Sequence, residues 1–263
     1  MRYLIILIGL LFTNISNAGT IDPRISDNKY IEYGTEYECI LRISGTDVDG
    51  RNFLASCVLI EPNIILTAAH IGSITKEAHA YNDEAKGKVL IFVSPKEYEE
   101  KAFGGNGCDI SVGLLDNKIN IKYYPTLYEN NDELNKVCGL SGFGMTGNFD
   151  TGVTKSDGKK RAGSNIIQKI EQNDLLVCSV QDIPSTSLEF LIAGGDSGGG
   201  LFIDNQLAGI HSSIYTYGNI PPKSDRKTFS IHTRISKHKD WIRETIKELK
   251  NANIGRTTGN DGK

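Results

Sequence analysis

Residues 55–70 read Ala-Ser-Cys-Val-Leu-Ile-Glu-Pro-Asn-Ile-Ile-Leu-Thr-Ala-Ala-His, and this stretch decides the fold. Two short apolar, β-branched runs, Ala55 to Ile60 and Ile64 to Ala68, are separated by turn residues. The pattern recurs outward in Val89 to Val93, Ile110 to Leu115, Leu175 to Val180, Gly200 to Ile203, Leu207 to Ser212 and Phe229 to Thr233. Many short strands with glycine-rich turns predict an all-β barrel or sandwich. One segment departs from this. In Lys237 to Lys250, Trp241, Ile242, Ile246 and Leu249 recur at three- to four-residue steps among charged residues, which predicts one amphipathic C-terminal helix packed on the body. Thr146 to Ser164, rich in small polar residues and carrying Lys159, Lys160 and Arg161, reads as an exposed, easily nicked loop, and residues 251–263 as a polar tail.

At 263 residues, with 28 Gly against 7 Pro and 23% charged residues, the composition suits one or two globular domains and argues against disorder, collagen or coiled coil. A net charge of -3 gives no electrostatic footprint for nucleic acid or an anionic membrane. Arg2 precedes an apolar run, Leu4 to Phe12, and small residues follow at Ser16 and Ala18, so residues 1–18 read as a signal peptide cleaved before Gly19. The run is far shorter than the roughly 20 residues of a membrane span. A secreted or periplasmic protein is expected. Its five cysteines, Cys39, Cys57, Cys108, Cys138 and Cys178, include at least one unpaired thiol, and their spacings form no zinc or redox motif. Buried thiols with one or two disulfide bonds are expected.

Chemistry concentrates at Gly194-Gly195-Asp196-Ser197-Gly198-Gly199. Flanking glycines let a substrate and backbone donors approach the serine hydroxyl closely. Serine is a poor nucleophile near neutral pH, and needs a base, usually His, with a carboxylate to fix the tautomer of that base. Leu66-Thr67-Ala68-Ala69-His70 supplies a histidine at the end of an apolar strand, with small alanines leaving room around the ring. Cys108-Asp109-Ile110 puts an acid at the entrance of another apolar run, where it is costly unless paired. His79, His232 and His238 read as structural or solvated, and no metal set is expected; Lys86 and Lys88 disfavour a calcium loop near Asn82.

These residues resemble the trypsin and chymotrypsin family of serine proteases. T-A-A-H at 67–70, the Asp109 segment and G-D-S-G-G at 195–199 stand in the family's order of His, Asp, Ser. Ser141-Gly142-Phe143-Gly144 is similar to its S-G-W-G turn, Gly209-Ile210-His211-Ser212 to its substrate-binding strand, and His232-Thr233-Arg234-Ile235 with the Trp241 helix to its C-terminal segment. The resemblance runs from about Ile25 to about Leu249. It implies two six-stranded antiparallel β-barrels, at residues 25–130 and 131–236, followed by the helix at 237–250. His70 and Asp109 would sit on the first barrel and Ser197 on the second. In this scheme His70 is general base and acid, Asp109 orients it with support from Ser212, and the N–H groups of Gly195 and Ser197 form the oxyanion hole. The protein would be a monomeric endopeptidase acting on protein or peptide substrates without a cofactor.

The chain also departs from the family. Ile71 and Ile203 stand where it commonly has cysteines, so any Cys138–Cys178 bridge would be its own. The family frees an N-terminal Ile or Val whose ammonium pairs with the aspartate matching Asp196. Arg24-Ile25 is the matching bond here, making 19–24 a short propeptide, although Ser26-Asp27-Asn28 replaces the usual V-G-G. The alternative is a protein active once its signal is removed. Leu191, next to Ile192, replaces trypsin's pocket aspartate, and Ile214 replaces a pocket-wall glycine, so the specificity reads as non-tryptic. His211 resembles the histidine that meets substrate carboxylates in glutamate-specific bacterial endopeptidases, or it is a core histidine beneath the pocket. Apolar residues and glutamate are therefore both open before the scissile bond. Two other functions compete: an esterase or lipase using Gly195-x-Ser197-x-Gly199, and a silent protease fold serving as a binding module.

Overall fold

Strand pairing builds the all-β chymotrypsin-like fold as one closed barrel and one open half-barrel, with a C-terminal helix. The computed structural model describes residues 19–180, 185–216 and 228–258; the expected signal peptide lies outside them. The chain enters through β1 (Thr20–Ile21) and α1 (Asp27–Gly34). Six antiparallel strands then close the first barrel: β2 (Ile40–Asp47), β3 (Asn52–Glu61), β4 (Ile64–Thr67), β5 (Thr75–Tyr81), β6 (Lys86–Val93) and β7 (Ser111–Leu115). Their spatial order is β2-β3-β4-β7-β6-β5, with β5 returning to β2. A one-turn helix, α2 (Ala69–Gly72), follows β4. Residues 55–60 are buried without alternation, because one face of β3 fills the barrel while Ser56, on the other, meets the second unit at Ser197.

That second unit contains β8 (Val137–Gly142), β9 (Thr146–Asn148), β10 (Gly152–Lys155), β11 (Arg161–Ile166), β12 (Lys169–Ile170), β13 (Leu175–Ser179), β14 (Phe190–Leu191), β15 (Gly200–Ile203), β16 (Gln206–Thr216) and β17 (Thr228–Arg234). Seven of these form one sheet, ordered β11-β8-β15-β16-β17-β13-β12, in place of the six-stranded closure expected. The others join β1 in a four-stranded sheet, β10-β9-β1-β14. Residues 20–21 are thus built into the second unit, although 19–24 is the segment the sequence reading sets apart as a propeptide. β1 lies antiparallel to β14 and parallel to β9, with Thr20 and Asp22 buried.

Several expectations need correction. The segment expected as an exposed loop, Thr146 to Ser164, contributes β9, β10 and part of β11. Arg161 within it is fully buried because Asp27 and Asp157 both meet its guanidinium. Helix α1 has no expected counterpart, since Tyr30 and Gly34 are its only buried residues and leave little apolar period to read. Helix α3 spans Ile235–Thr258, beginning before Lys237 and taking in residues 251–258 of the expected tail. No glycine or proline interrupts 235–254, and Ile235, Ile242, Ile246 and Leu249 pack into the first barrel's core. The expected disulfides are not formed: all five cysteines are free thiols, with the buried Cys138 and Cys178 sulfurs 3.8 Å apart.

Candidate active site

His70 stands on the single turn α2, directly after β4. Asp109 precedes β7, the neighbour of β4, so the barrel's pairing sets base and acid side by side. The Asp109 carboxylate takes the His70 backbone N–H on Oδ1 at 2.9 Å, and meets His70 Nδ1 at Oδ2 over 2.8 Å. Ser212, reaching across from β16, donates its hydroxyl to the same Oδ2 at 2.6 Å. Asp109 is only 3% exposed, and burial works to raise its pKa; the His70 charge and the hydrogen bonds outweigh this and hold it below the usual carboxylate value. For His70 burial works to lower the pKa, while the Asp109 charge and hydrogen bond prevail and raise it. With Nδ1 committed to the carboxylate, the neutral ring carries its proton there and its lone pair on Nε2. A quarter of the His70 side chain faces solvent.

Ser197 is held between the two units. Its carbonyl accepts from Ser56 N at 2.9 Å, Gly198 N donates to His211 O at 2.8 Å, and Gly199 N donates to Asp196 O at 2.8 Å. Gly195 and Gly198 have φ of +89° and +83°, a left-handed turn that glycine adopts without strain. A Cβ on Gly198 would lie 2.0 Å from Thr67 Oγ1. The end of β4, three residues before His70, therefore packs against the residue that follows Ser197. Gly195 directs its carbonyl to Ser56 Oγ at 3.1 Å. Among the described residues neither the Gly195 nor the Ser197 N–H donates to a protein acceptor.

Beneath this turn the Asp196 side chain is fully buried. Gly144 N donates to Oδ1 at 2.8 Å, Ala193 N to Oδ2 at 3.0 Å, and the Gly19 backbone N–H also reaches the carboxylate. Burial pushes its pKa up to about 7 against these donors and the Arg161 charge. The glycines of Ser141-Gly142-Phe143-Gly144 are spaces for this carboxylate: a Cβ on Gly142 would lie 2.2 Å from Oδ1, and one on Gly144 2.6 Å from Cγ. Ile25 is placed elsewhere, its N–H donating to Asp22 O at 3.0 Å.

The expected pocket residues divide. Leu191 is sealed among Phe149 and Val180 and pairs with Thr20; Ile192 is buried, its N–H on Ser230 Oγ at 3.0 Å. Ile214 is nearly half-exposed. His211 is fully buried, and its Nδ1 lies 2.9 Å from Nδ1 of His232, its register partner on β17. Burial lowers the pKa of both rings, that of His232 to about 3, and the neighbouring ring lowers His211 further. The pair is thus neutral, with one Nδ1 carrying the shared proton. His232, expected to be structural or solvated, is fully buried and packs on His211 across the strand pair, a pairing that no local pattern announces. The roles of Ser56 and Gly19 had no local motif. Among the described residues no cluster of His, Cys, Asp or Glu is placed to hold a metal ion, and Asn82 Oδ1 instead caps a hairpin through the N–H groups of Glu84 and Ala85.

The family model described as Trypsin matches residues 33–242. Mast cell protease 3 of Ovis aries is 25% identical over 92% of this chain and 96% of its own length. A chymotrypsin of Phaedon cochleariae is 26% identical over 86% of this chain and 84% of its own. Among solved structures, HL collagenase superposes with a TM-score of 0.63 at 16% identity, covering 80% of this chain and 94% of the other. Mouse-brain neuropsin, described as a serine protease, gives 0.60 at 18% identity, covering 80% and 95%.

Proposed function

The chain belongs to the trypsin family, and on that premise we propose that it is an exported serine endopeptidase using His70, Asp109 and Ser197. The observation that carries this reading is the His70–Asp109–Ser212 chain of hydrogen bonds, set against the Ser197 turn by the contact of Thr67 with Gly198. In the proposed reaction His70 Nε2 takes the Ser197 proton as Oγ attacks the scissile carbonyl. Asp109 stabilises the resulting imidazolium, and the Gly195 and Ser197 N–H groups receive the oxyanion, each such donor being worth about 2.7–4 kcal/mol. His70 then protonates the departing amine, leaving an acyl-enzyme that water hydrolyses by the same steps in reverse.

A lipase-type elbow requires a helix straight after the serine, whereas β15 follows here, which argues against the esterase alternative. The presence of all three triad residues argues against a silent binding module. For specificity, Leu191 standing where the family's trypsin has its pocket aspartate supports a non-tryptic reading. The neutral His211–His232 pair supports glutamate as the second reading. The deciding experiment labels the chain starting at Gly19 with a fluorophosphonate and profiles it on a peptide library. We expect labelling that Ser197→Ala abolishes and cleavage after apolar or glutamate residues. An unlabelled chain that cuts no peptide would overturn the reading.

A further inference from the structure

Ser56 lies within β3, fully buried, and each of its polar groups is committed at the seam between the two units. Its backbone N–H donates to Ser197 O at 2.9 Å, and its hydroxyl donates to Gly195 O at 3.1 Å. The same Oγ accepts the Phe143 N–H at 2.9 Å, and the Ser56 carbonyl accepts the Thr67 hydroxyl at 2.9 Å. One residue of the first barrel thus holds the carbonyls of both Gly195 and Ser197, the two residues whose N–H groups the proposed reaction assigns to the oxyanion.

We propose that Ser56 is a positioning residue for stabilisation of the transition state, its hydroxyl fixing the peptide plane on which the direction of the oxyanion donors depends. It acts through the Gly195–Ser197 backbone and not on the substrate itself. The inference rests on the endopeptidase reading and deepens it, giving a side chain of the opposite unit control over the order of the oxyanion site.

The argument begins with the freedom of Gly195. Its φ of +89° is open to it because it has no Cβ, and for the same reason its own side chain does nothing to stop the adjoining peptides from rotating. Hydrogen bonds must hold it instead. The peptide between Gly195 and Asp196 is held at both ends, its carbonyl by Ser56 Oγ and its N–H by Ala193 O at 3.1 Å. The peptide between Ser197 and Gly198 is held likewise, its carbonyl by Ser56 N and its N–H by His211 O at 2.8 Å. The Ser197 N–H belongs to the peptide between these two planes, and the Gly195 N–H to the peptide just before them. Both therefore take their direction from planes that Ser56 anchors. Removing the hydroxyl frees one end of the first plane and leaves the second intact.

The anchor is itself rigid. Phe143 N–H occupies the hydroxyl oxygen, which directs the hydroxyl proton to Gly195 O. Ser56 pairs in register with Arg42 on β2, and Thr67 of β4 holds its carbonyl from the other side. A group on a strand of a closed barrel is placed more firmly than one on a loop, and donors fixed before charge develops stabilise it without reorganising. A merely structural Ser56 would lower stability while leaving the turnover of each folded molecule unchanged.

The test compares the chain starting at Gly19 with its Ser56→Ala and Ser56→Gly variants, at a temperature where melting curves show each to be folded. Both variants lack the hydroxyl, so either one serves. The amplitude of fluorophosphonate labelling counts competent sites, and its rate reports stabilisation of charge on the phosphonyl oxygen. Peptide hydrolysis gives kcat and KM separately. A peptide trifluoromethyl ketone, which a serine adds to and converts to an oxyanion, gives an inhibition constant. We expect full labelling amplitude, a labelling rate and kcat about tenfold lower, KM nearly unchanged, and ketone binding weakened by the same factor as kcat/KM. A folded variant with the parent's kcat and labelling rate would overturn the proposal, as would a loss carried by KM alone. A parent chain that reacts with none of the probes would instead overturn the endopeptidase reading, and this role with it.

Discussion

Ser212 donates its hydroxyl to Asp109 Oδ2 at 2.6 Å, on the same oxygen that meets His70 Nδ1. That oxygen is therefore shared between the second unit and the first, and the aspartate's hold on the imidazole depends on a residue of β16, the strand that also carries His211. The His70 ring is thus oriented, through Asp109, by both halves of the molecule.

A pH prediction follows for the base. His70 must be neutral to accept the Ser197 proton, and its pKa is raised by Asp109. The acid limb of kcat/KM should lie above the ordinary histidine value of about 6.5, activity being lost as pH falls through the raised pKa. Removing the hydroxyl in Ser212→Ala leaves Oδ2 to the imidazolium alone and should move that limb further up, with activity at pH 7 about tenfold lower, as for loss of a hydrogen bond to a charged group. Asp109→Asn should cost about four orders of magnitude by fixing the wrong tautomer. A limb that stays in place in Ser212→Ala would show the hydroxyl to be a bystander.

The second prediction concerns the buried histidines. If the pocket accepts glutamate, a charged carboxylate near His211 should draw a proton onto the pair that is neutral when the pocket is empty. His232→Leu removes the second ring while filling most of its volume. Cleavage after glutamate should then fall by about tenfold or more, while cleavage after an apolar residue is nearly unchanged. Glutamate cleavage should also decline toward alkaline pH before apolar cleavage does. Equal losses on both substrates would leave the pair a purely structural role.

How much of this was legible in the sequence depends on the range of the interaction. Each predicted strand is local: the apolar runs at 55–60, 64–68 and 200–203 bury themselves where they stand. The motif around Ser197 was readable because a left-handed turn at Gly195 and Gly198 is a local demand on residue type. The buried state of Arg161 was not, since it depends on Asp27 from a helix far away in the chain. Gly19 was read as the residue after a cleavage site and nothing more, because its contacts, Phe190 and Asp196, are long-range. The edges of β1 were invisible for the same reason, two residues being too few to carry a period.

Asp196 gives a stability prediction with a definite sign. Its folded pKa of about 7, pushed up by burial, lies above the unfolded value of about 3.9. Its proton is therefore bound more tightly in the folded state. Stability is greatest below pH 4 and falls, by a few kcal/mol at most, as pH rises toward 7. Melting temperatures from pH 4 to 8 check the sign; a decline that persists unchanged in Asp196→Asn would assign it to another group.

The last prediction lies away from the Ser197 turn, where β17 meets α3. Arg234 holds Glu133 through Nε at 2.8 Å and Nη2 at 2.6 Å, and Ser236 adds a hydroxyl at 2.6 Å; Glu133 is fully buried. Burial works to raise the Glu133 pKa, but the Arg234 and Ser236 hydrogen bonds outweigh it and lower it, so its contribution is present above the unfolded value of about 4.3 and is lost as pH falls through the lower folded one. Arg234→Leu leaves the buried Glu133 carboxylate without its counter-charge, with Ser236 still donating, costing about 3–5 kcal/mol at pH 7. Because Glu133 can then protonate, the loss should shrink below pH 4. The double variant Arg234→Leu, Glu133→Leu should recover much of the stability at neutral pH, since an apolar pair of similar volume avoids the desolvation of both charges. Urea unfolding at pH 7 and pH 4 measures all three chains, and a double variant no more stable than Arg234→Leu would assign the cost to packing rather than to charge.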